Sequence, residues 1–405
     1  MPMVEQPYRS WISAANREDC DFPLQNLPFG VFSTRDIAPR CGVAIGDMIV
    51  DLALCEERGL LDAGGTFSQP QLNDFIALGR AKWDEVRARL TGLLAEGGDE
   101  NTPLVAMNAA TLHLPIRVTE FTDFYASKNH AFNVGVLFRG PENALPPQWT
   151  HMPIGYNGRA SSVVVSGTDI HRPMGQVKGD NGPLWSACRR LDLELELGAI
   201  VGADSKMGQR ISVEQAEQMI FGYVLLNDWS ARDIQAWEYQ PLGPFQSKAV
   251  GTTISPWIVT QAALEPFRCK GADRVNPLLP YLQESRPGFY DMTIGWTMNG
   301  QRMGQTNYNV MYYSSAQQLA HHTVSGCPMR VGDLLGSGTI SGASSEQTGA
   351  LLEMTQGGKN PVTVNGESRT FIEDGDEIGL YAYATGDGYR IGFGPCIGTI
   401  LPALK

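Results

Sequence analysis

The sequence predicts a mainly β protein with a small N-terminal domain and a larger C-terminal one. At 405 residues the chain exceeds the size at which a single hydrophobic core usually stops growing, so two domains are expected. Its 45 glycines and 25 prolines indicate frequent turns, and charged residues make up only 18% of the chain. This composition favours short strands joined by loops over a bundle of charged helices.

Residues 29–52 have the pattern of short strands in an antiparallel sheet. Apolar runs flank a Gly46-Asp47 turn, which is a hairpin signal. Residues 70–95 instead place apolar side chains at helical spacing, and the segment 97–103 interrupts that pattern with glycines and a proline. We expect these elements to form a mostly barrel-like N-terminal domain over residues 1–115.

Short strands separated by glycine- and proline-rich connections continue through residues 116–405, the expected C-terminal domain. Four of these strands are Ser162–Ser166, Trp257–Val259, Met292–Trp296 and Glu377–Tyr381. The turn signals between such runs include Asn299-Gly300 and Asp374-Gly375-Asp376. One helix is expected over Val213–Gly222.

Residues Leu191–Leu197 alternate leucine with acidic residues without a break. In a strand, successive side chains point to opposite faces, so the leucines face one way and Asp192, Glu194 and Glu196 face the other. Carboxylates at this spacing lie about 7 Å apart and repel one another unless a cation or water intervenes. The pattern therefore predicts either a half-buried strand with a solvated acidic face or a metal site built on a strand.

Two further stretches carry chemistry-bearing side chains. Asp123 is a typical helix N-cap, and a helix starting there places His130 on its second turn. Asp228 follows the apolar run Tyr223–Leu226, so it lies at a strand end, where functional sites are often built. With Asp228, the residues Arg232, Gln235 and Tyr239 would share one helix face. Each stretch has a non-functional alternative, a capped helix with a buried histidine or a solvated helix face.

Composition excludes several classes of protein. The net charge is −12 and no basic stripe occurs, so nucleic acid is not an expected partner. The segment Met1–Ser10 is polar, and no stretch of 18 apolar residues follows, so we expect neither secretion nor a membrane span. The seven cysteines are scattered without a C-x-x-C pair, which fits a reducing cytoplasm.

Five motifs in this order resemble the fumarylacetoacetate hydrolase family: Asp123–Gly135, Leu191–Glu196, Asn227–Gln235, Gly336–Gly342 and Gly386–Gly394. The resemblance covers the chain from about residue 20. It implies an SH3-like barrel at residues 1–115, a β-sandwich roll of the fumarylacetoacetase type at 116–405, and a homodimer. It also implies metal-dependent hydrolysis of the carbon–carbon bond of 4-fumarylacetoacetate to fumarate and acetoacetate, the last step of tyrosine and phenylalanine degradation.

The resemblance assigns a role to each matching residue. The metal ligands are Asp123, Glu194, Glu196 and Asp228, with Lys248 and Thr252 beside the same metal. His130 matches the general base and Glu353 its orienting partner. Oxyanion stabilisation falls to Arg232, Gln235 and Lys248. The substrate contacts are Tyr125, Arg139, Tyr156, Gln235, Tyr239 and Thr339. Asp192 has no assigned role and is expected to be structural. Ala126, Phe132, Gln246-Ser247 and Ala343-Ser344-Ser345 depart from the family pattern.

The chemistry of such a reaction can be argued from the residue types. Hydrolytic cleavage of a carbon–carbon bond expels a carbanion, and in a β-diketone that carbanion is an enolate, which a divalent cation stabilises as a Lewis acid. Four carboxylates without cysteine or paired histidine ligands favour Mg²⁺ or Ca²⁺ over zinc. Two alternatives remain open, a hydrolase of a related β-diketo acid such as an acylpyruvate, and a metal-binding β protein without turnover.

Overall fold

The structure, a computed structural model, describes residues 9–404. Residues 1–8, which include most of the polar Met1–Ser10 segment, and Lys405 lie outside the described residues. Within the described part of the chain, no helix is both long and apolar enough to cross a bilayer. Strands dominate, which confirms the predicted mainly β class.

The N-terminal region, up to residue 113, contains five strands among its described residues. Strands β1 to β5 are Phe29–Ser33, Arg40–Ile45, Met48–Asp51, Leu104–Ala106 and Thr111–His113, and helices α1 to α3 are Leu52–Glu57, Asn73–Ile76 and Arg80–Leu94. The sheet runs in the order β4-β3-β2-β1-β5. The hairpin predicted at Gly46-Asp47 is confirmed, with Ile45 opposite Met48. The helical pattern over residues 70–95 corresponds to two helices, α2 and α3, because Gly79 between them has a φ of +85°.

The strands and helices of the remaining chain follow in sequence order. Strands β6 to β14 are Phe121–Phe124, Gly155–Asn157, Val163–Val165, Ile170–His171, Met174–Gly179, Gly182–Ala187, Leu191–Asp192, Leu195–Val201 and Ile220–Asp228. Strands β15 to β21 are Ser230–Ala231, Thr252–Ile254, Val259–Thr260, Arg268–Cys269, Phe289–Tyr290, Thr293–Met298 and Gln301–Asn307. Strands β22 to β27 are Leu334–Gly336, Val362–Val364, Glu367–Arg369, Glu377–Gly386, Tyr389–Gly392 and Cys396–Leu401. Helices α4 to α9 are Lys128–Arg139, Val213–Met219, Arg232–Glu238, Gln261–Leu264, Ser315–His322 and Leu351–Met354.

The large sheet of the described residues has the order β7-β6-β22-β13-β14-β16-β8, with β17 also paired to β14. A second sheet runs β21-β20-β25-β27-β9, with β26 paired to β25. Apolar side chains of both sheets, including Leu197, Leu225, Ile294 and Leu380, belong to one core cluster between them. The C-terminal region therefore consists mainly of two packed sheets, an arrangement in which each sheet buries one apolar face.

The opposite face of the large sheet packs against the N-terminal sheet. Ile200, Leu226 and Leu334 on the large sheet share a core cluster with N-terminal side chains such as Val31 and Val43. The alternation of side chains along each strand explains why neighbours such as Leu225 and Leu226 enter different cores. The large sheet is thus covered on both faces.

Three sequence expectations are wrong in detail. Leu191–Leu197 is not one strand: β12 ends at Asp192 and β13 begins at Leu195. Helix α5 ends at Met219, because the chain enters strand β14 at Ile220. Asp123 does not cap a helix. It lies in β6, where Gly336 is its partner on β22, and Ser127 caps helix α4 instead.

Candidate active site

The acidic side chains named from the sequence meet at one end of the inner strands of the large sheet. Asp123, Glu196 and Asp228 come from β6, β13 and β14, and Glu194 from the irregular residues just before β13. All four are buried, and each offers a carboxylate oxygen within 4.8 Å of the others. The solvated acidic face that the alternating pattern also allowed is therefore wrong, because these carboxylates face inward.

Strand register explains how residues so far apart in sequence meet. Along each strand, side chains two residues apart share a face, so Asp228 lies on the same side as Leu226, which is paired with Glu196. In the sheet, strand β22 lies between β6 and β13, so its Gly336 lies between Asp123 and Glu196. A Cβ at this glycine would lie 2.8 Å from Asp123 Oδ1 and 2.9 Å from Glu196 Oε2. The missing side chain leaves the space into which the two carboxylates project.

Two oxygens of this cluster are left without hydrogen-bond partners among the described residues. They are Asp123 Oδ1 and Glu196 Oε1, and both are buried. Burial, followed by the neighbouring carboxylates, raises the pKa of Asp123 and of Glu196. Buried oxygens of this kind are costly unless a ligand satisfies them. Their arrangement fits a divalent cation.

Lys248 and Arg232 supply the positive charge at this cluster. Lys248 Nζ contacts Glu194 and lies 2.8 Å from Asp228 Oδ2. Arg232 Nη1 lies 2.8 Å from Glu194 Oε1. Burial alone would raise the pKa of Glu194, but Lys248 and Arg232 outweigh it and lower the pKa to about 2. The two cations offset only part of the negative charge of the four carboxylates, so a divalent cation remains compatible with the site.

Hydroxyl groups complete the surroundings of Asp228. Tyr156 Oη donates to Asp228 Oδ2 at 2.8 Å, and Thr252 Oγ1 to Asp228 Oδ1 at 3.3 Å. Thr252 reaches this position because it is the partner of Asp228 in the β14–β16 pair. Oxygen donors without sulfur or histidine are typical of Mg²⁺ and Ca²⁺ sites.

His130 lies in the first turn of helix α4, not the second turn that the sequence predicted. The side chain of Ser127 caps this helix by accepting from His130 N. His130 Nδ1 lies 2.6 Å from Glu353 Oε2, and both residues are buried. Because an ionised carboxylate can only accept, Nδ1 carries the proton and Nε2 is the basic nitrogen.

Glu353 is held by more than His130. Asn133 Nδ2 donates to its Oε1 at 2.9 Å, and Ser341 Oγ to its Oε2 at 2.8 Å. Burial alone would raise the pKa of Glu353, but His130 and these hydrogen bonds lower it. Sequence reasoning missed Asn133 and Ser341, although both lie within recognised motifs. Asn133 follows His130 by three residues, a spacing that puts the two on one helix face.

A cavity of about 610 Å³ brings most of the remaining predicted residues together. Its walls include, of the predicted set, Asp123, Tyr125, His130, Arg139, Tyr156, Glu194, Arg232, Gln235, Tyr239, Lys248 and Thr339. Glu196, Asp228 and Glu353 do not line it, but each contacts or adjoins a residue that does. Thr252 lies one residue further away and contacts Asp228.

Arg139 is the predicted contact whose charged group is already engaged. Its Nε donates to the carbonyl of Asn143 at 3.1 Å and its Nη2 to that of Ala144 at 2.7 Å. These bonds fix the position of the side chain in the cavity wall. Thr339 Oγ1, by contrast, is buried in the wall without a hydrogen-bond partner among the described residues.

Comparisons with known proteins agree along the whole chain. Residues 119–401 match the family model described as fumarylacetoacetate (FAA) hydrolase C-terminal, and residues 25–115 the model described as fumarylacetoacetase N-terminal. The fumarylacetoacetase of Homo sapiens is 48% identical over 409 residues, covering 96% of this chain and 98% of its own. That of Mus musculus is also 48% identical, over 410 residues, with the same coverage.

Among solved structures, a fumarylacetoacetate hydrolase from psychrophilic Exiguobacterium antarcticum is similar with a TM-score of 0.58 at 16% identity. The match covers 93% of this chain and 99% of that one, and at this identity it speaks for the fold alone. The two family models and the 48% identical relatives speak for the family. On these grounds the chain belongs to the fumarylacetoacetate hydrolase family.

Proposed function

We propose that this protein is a fumarylacetoacetase, which hydrolyses the carbon–carbon bond of 4-fumarylacetoacetate to fumarate and acetoacetate. The observation that carries the proposal is the cavity, whose wall brings together the His130 of a buried histidine–glutamate pair, two members of the carboxylate cluster, and the side chains of Arg232, Gln235 and Lys248. The 48% identical relatives bear the name fumarylacetoacetase, which supports this substrate. In this role the enzyme performs the last step of tyrosine and phenylalanine degradation.

His130 is the general base of the proposed mechanism. Its Nε2 takes a proton from water as the water attacks the carbonyl carbon of the bond to be cleaved. Glu353 holds Nδ1–H, so the imidazole keeps the reactive tautomer and its cationic form is stabilised. Asn133 and Ser341 keep Glu353 ionised and in place.

Donors in the wall stabilise the negative charge that develops on the attacked carbonyl oxygen. Arg232, Gln235 and Lys248 have this role, and all three line the cavity. Arg232 Nη2 is buried without a hydrogen-bond partner among the described residues, which supports a donor role for this guanidinium. Tyr125, Arg139, Tyr156, Gln235, Tyr239 and Thr339 bind the rest of the diketo diacid.

Mg²⁺ or Ca²⁺ is the proposed cofactor, held by Asp123, Glu194, Glu196 and Asp228 with Lys248 and Thr252 alongside. When bound, such a cation supplies Lewis-acid stabilisation of the enolate that leaves. The orphaned oxygens of Asp123 and Glu196 support this assignment.

Three further properties belong to the same proposal. The chain divides at about residue 115 into an SH3-like domain and a catalytic domain, as the matches over 25–115 and 119–401 support. It works as a homodimer, following the family resemblance. It is cytoplasmic, a location supported by seven free cysteines.

The test is a turnover assay with fumarylacetoacetate on metal-stripped protein, before and after Mg²⁺ or Ca²⁺ is restored. We expect the diketone to disappear and stoichiometric fumarate to form only after a cation is added. Metal binding without turnover of this substrate, but with turnover of an acylpyruvate, would move the assignment to the related β-diketo acids. Metal binding without any turnover would favour the non-catalytic alternative.

A further inference from the structure

Asp192 is a buried carboxylate to which the mechanism above gives no role. It is fully buried, and its two oxygens accept four hydrogen bonds. Oδ2 accepts from Arg232 Nε at 2.8 Å and from Leu352 N at 3.1 Å. Oδ1 accepts from Leu351 N at 2.8 Å and from Leu193 N at 2.9 Å. One side chain therefore joins an arginine on helix α6 to the backbone at the start of helix α9.

Helix α9 carries Glu353 and has no cap of its own. It spans Leu351–Met354, and its N-cap residue, Ala350, offers no side-chain oxygen. The first N–H groups of a helix lack partners within it and need acceptors from elsewhere. Asp192 supplies these acceptors from β12, so the position of Glu353 depends on a carboxylate far away in sequence.

The same carboxylate helps to fix the guanidinium of Arg232. Asp192 takes Nε and Glu194 takes Nη1, so the planar group has two anchors on different edges. The nitrogen that remains, Nη2, is buried in the cavity wall without a partner among the described residues. The two anchors thereby fix the orientation of the guanidinium plane in the cavity wall.

We propose that Asp192 is a positioning residue, which holds the oxyanion donor Arg232 and the Glu353–His130 pair at a fixed separation. The inference rests on the proposed function in naming the roles of those two groups. Its content is that donor and base form one rigid unit through Asp192, although neither contacts the other. A carboxylate is required because both partners donate: an asparagine would turn its NH₂ toward either the arginine or the backbone N–H groups.

The decisive variant is Asp192→Asn, which preserves side-chain volume. We expect kcat to fall about 100-fold, the scale of a small misplacement of catalytic groups, with KM changed less than about threefold. The matched control is Asp376→Asn. Asp376 is also buried, and it also accepts from an arginine, Arg369 Nε, and a backbone N–H, that of Glu373. It lies outside the cavity wall, so kcat should stay within about twofold of wild type.

A second readout does not depend on turnover. A short N–H···carboxylate bond such as that of His130 to Glu353 gives a strongly downfield proton resonance. His130→Gln identifies the signal by abolishing it. We expect Asp192→Asn to shift or broaden this resonance and Asp376→Asn to leave it in place. Of the two aspartates, Asp192 is the one that binds the backbone of helix α9.

The kcat values and the proton resonance together distinguish a positioning role of Asp192 from general destabilisation. Loss of kcat together with a displaced resonance supports the proposal. An unchanged resonance overturns it, even if kcat falls, because the link to Glu353 is then absent. Equal losses in Asp192→Asn and Asp376→Asn overturn it as well, since general destabilisation explains both.

Two situations need a second arm. If Asp192→Asn does not fold, Asp192→Ser is measured instead, because its hydroxyl still accepts one bond and leaves room for water. The same outcomes then apply to that variant. If wild-type protein does not hydrolyse fumarylacetoacetate, the proposed function fails, and the resonance alone decides whether Asp192 positions Glu353.

Discussion

The two sides of the cavity satisfy their polar atoms in opposite ways. On the acidic side, Asp123 and Glu196 each keep a buried oxygen without a partner, and burial beside other carboxylates raises the pKa of both. On the histidine side, Glu353 accepts from His130, Asn133 and Ser341. The pKa of this glutamate is lowered despite its burial.

This difference distinguishes the part of the cavity that can accept a ligand from the part whose polar atoms are already bonded to the protein. Unsatisfied buried oxygens in a cluster of carboxylates can accept a cation, so the acidic side is the candidate metal-binding part of the cavity. Both oxygens of Glu353 already accept from protein donors, and this residue does not line the cavity, so Glu353 acts through His130. Loss of a residue on the acidic side should therefore cost ligand binding and turnover together, whereas loss on the histidine side should cost turnover alone.

The largest expected effect is that of Asp228→Ala. Removing this carboxylate deletes a proposed cation ligand and leaves Glu194 as the remaining carboxylate partner of Lys248, so cation binding and turnover should both fall, turnover by more than about 10⁴-fold. Isothermal titration with Mg²⁺ and Ca²⁺ measures the first loss, and the fumarate assay the second. Asp376→Ala is the control for loss of a buried carboxylate. Retained cation affinity in Asp228→Ala would contradict the assignment of cation binding to the acidic side of the cavity.

His130→Ala comes next and tests the histidine side. Without its base the enzyme should lose about 10³-fold in kcat, a typical contribution of general-base catalysis, while the affinity for the cation stays at the wild-type value. His321→Gln, a histidine whose ring stacks on Tyr281 outside the cavity wall, is the control. If His130→Ala and Asp228→Ala lose cation affinity alike, the division of roles is wrong.

Gln235→Ala addresses the donors between the two sides. The amide lines the cavity, and its oxygen accepts from Arg232 Nη1 at 3.2 Å. Loss of one donor to the developing oxyanion should lower kcat about 10²-fold. Steady-state kinetics would show the fall, and titration should give unchanged cation affinity. A rise in KM alone would mean that this residue only binds substrate.

The smallest expected effect is that of Ser341→Ala, which tests the hydrogen bonds to Glu353 on the histidine side. Ser341→Ala removes one of the hydrogen bonds to Glu353, and a bond to a charged group is typically worth enough to lower kcat about 10-fold. Cation affinity should not change. The matched control is Ser345→Ala, an exposed serine of the same segment. Equal kcat in both variants would mean that Glu353 does not need this bond.

Much of the acidic side could be predicted from the sequence, because its pattern is local. The alternation of leucines and acids placed Glu194 and Glu196 together, and the apolar run before Asp228 placed it at a strand end. All four leucines of that alternating stretch do lie in one core. The break between β12 and β13 was not predictable, since Glu194 N bonds to Asn227 Oδ1, a residue 33 positions away.

The errors near His130 have a similar cause. Asp123 obeys the rule for helix caps, yet its segment pairs with Leu334–Gly336, more than 200 residues later. Such a pairing leaves no local trace. Ser127, which does cap helix α4, satisfies the same rule as Asp123. Residue preference therefore limits the candidate N-caps to a few residues but does not identify which one is used. Glu353 carries no periodic signal at all, so only the family resemblance named it.

The face of the large sheet that bears the carboxylates is also the face covered by the N-terminal sheet. Phe121 and Leu226, each two residues before an aspartate of the acidic cluster, belong to the core that contains Val31 and Val43. The acidic cluster is therefore anchored from behind by residues that never approach the substrate. A substitution among these apolar residues should therefore lower activity although every polar residue of the cavity is intact. A fragment trimmed to residues 116–405 should lose activity for the same reason, because the apolar face of the sheet behind the acidic cluster would then be exposed to water.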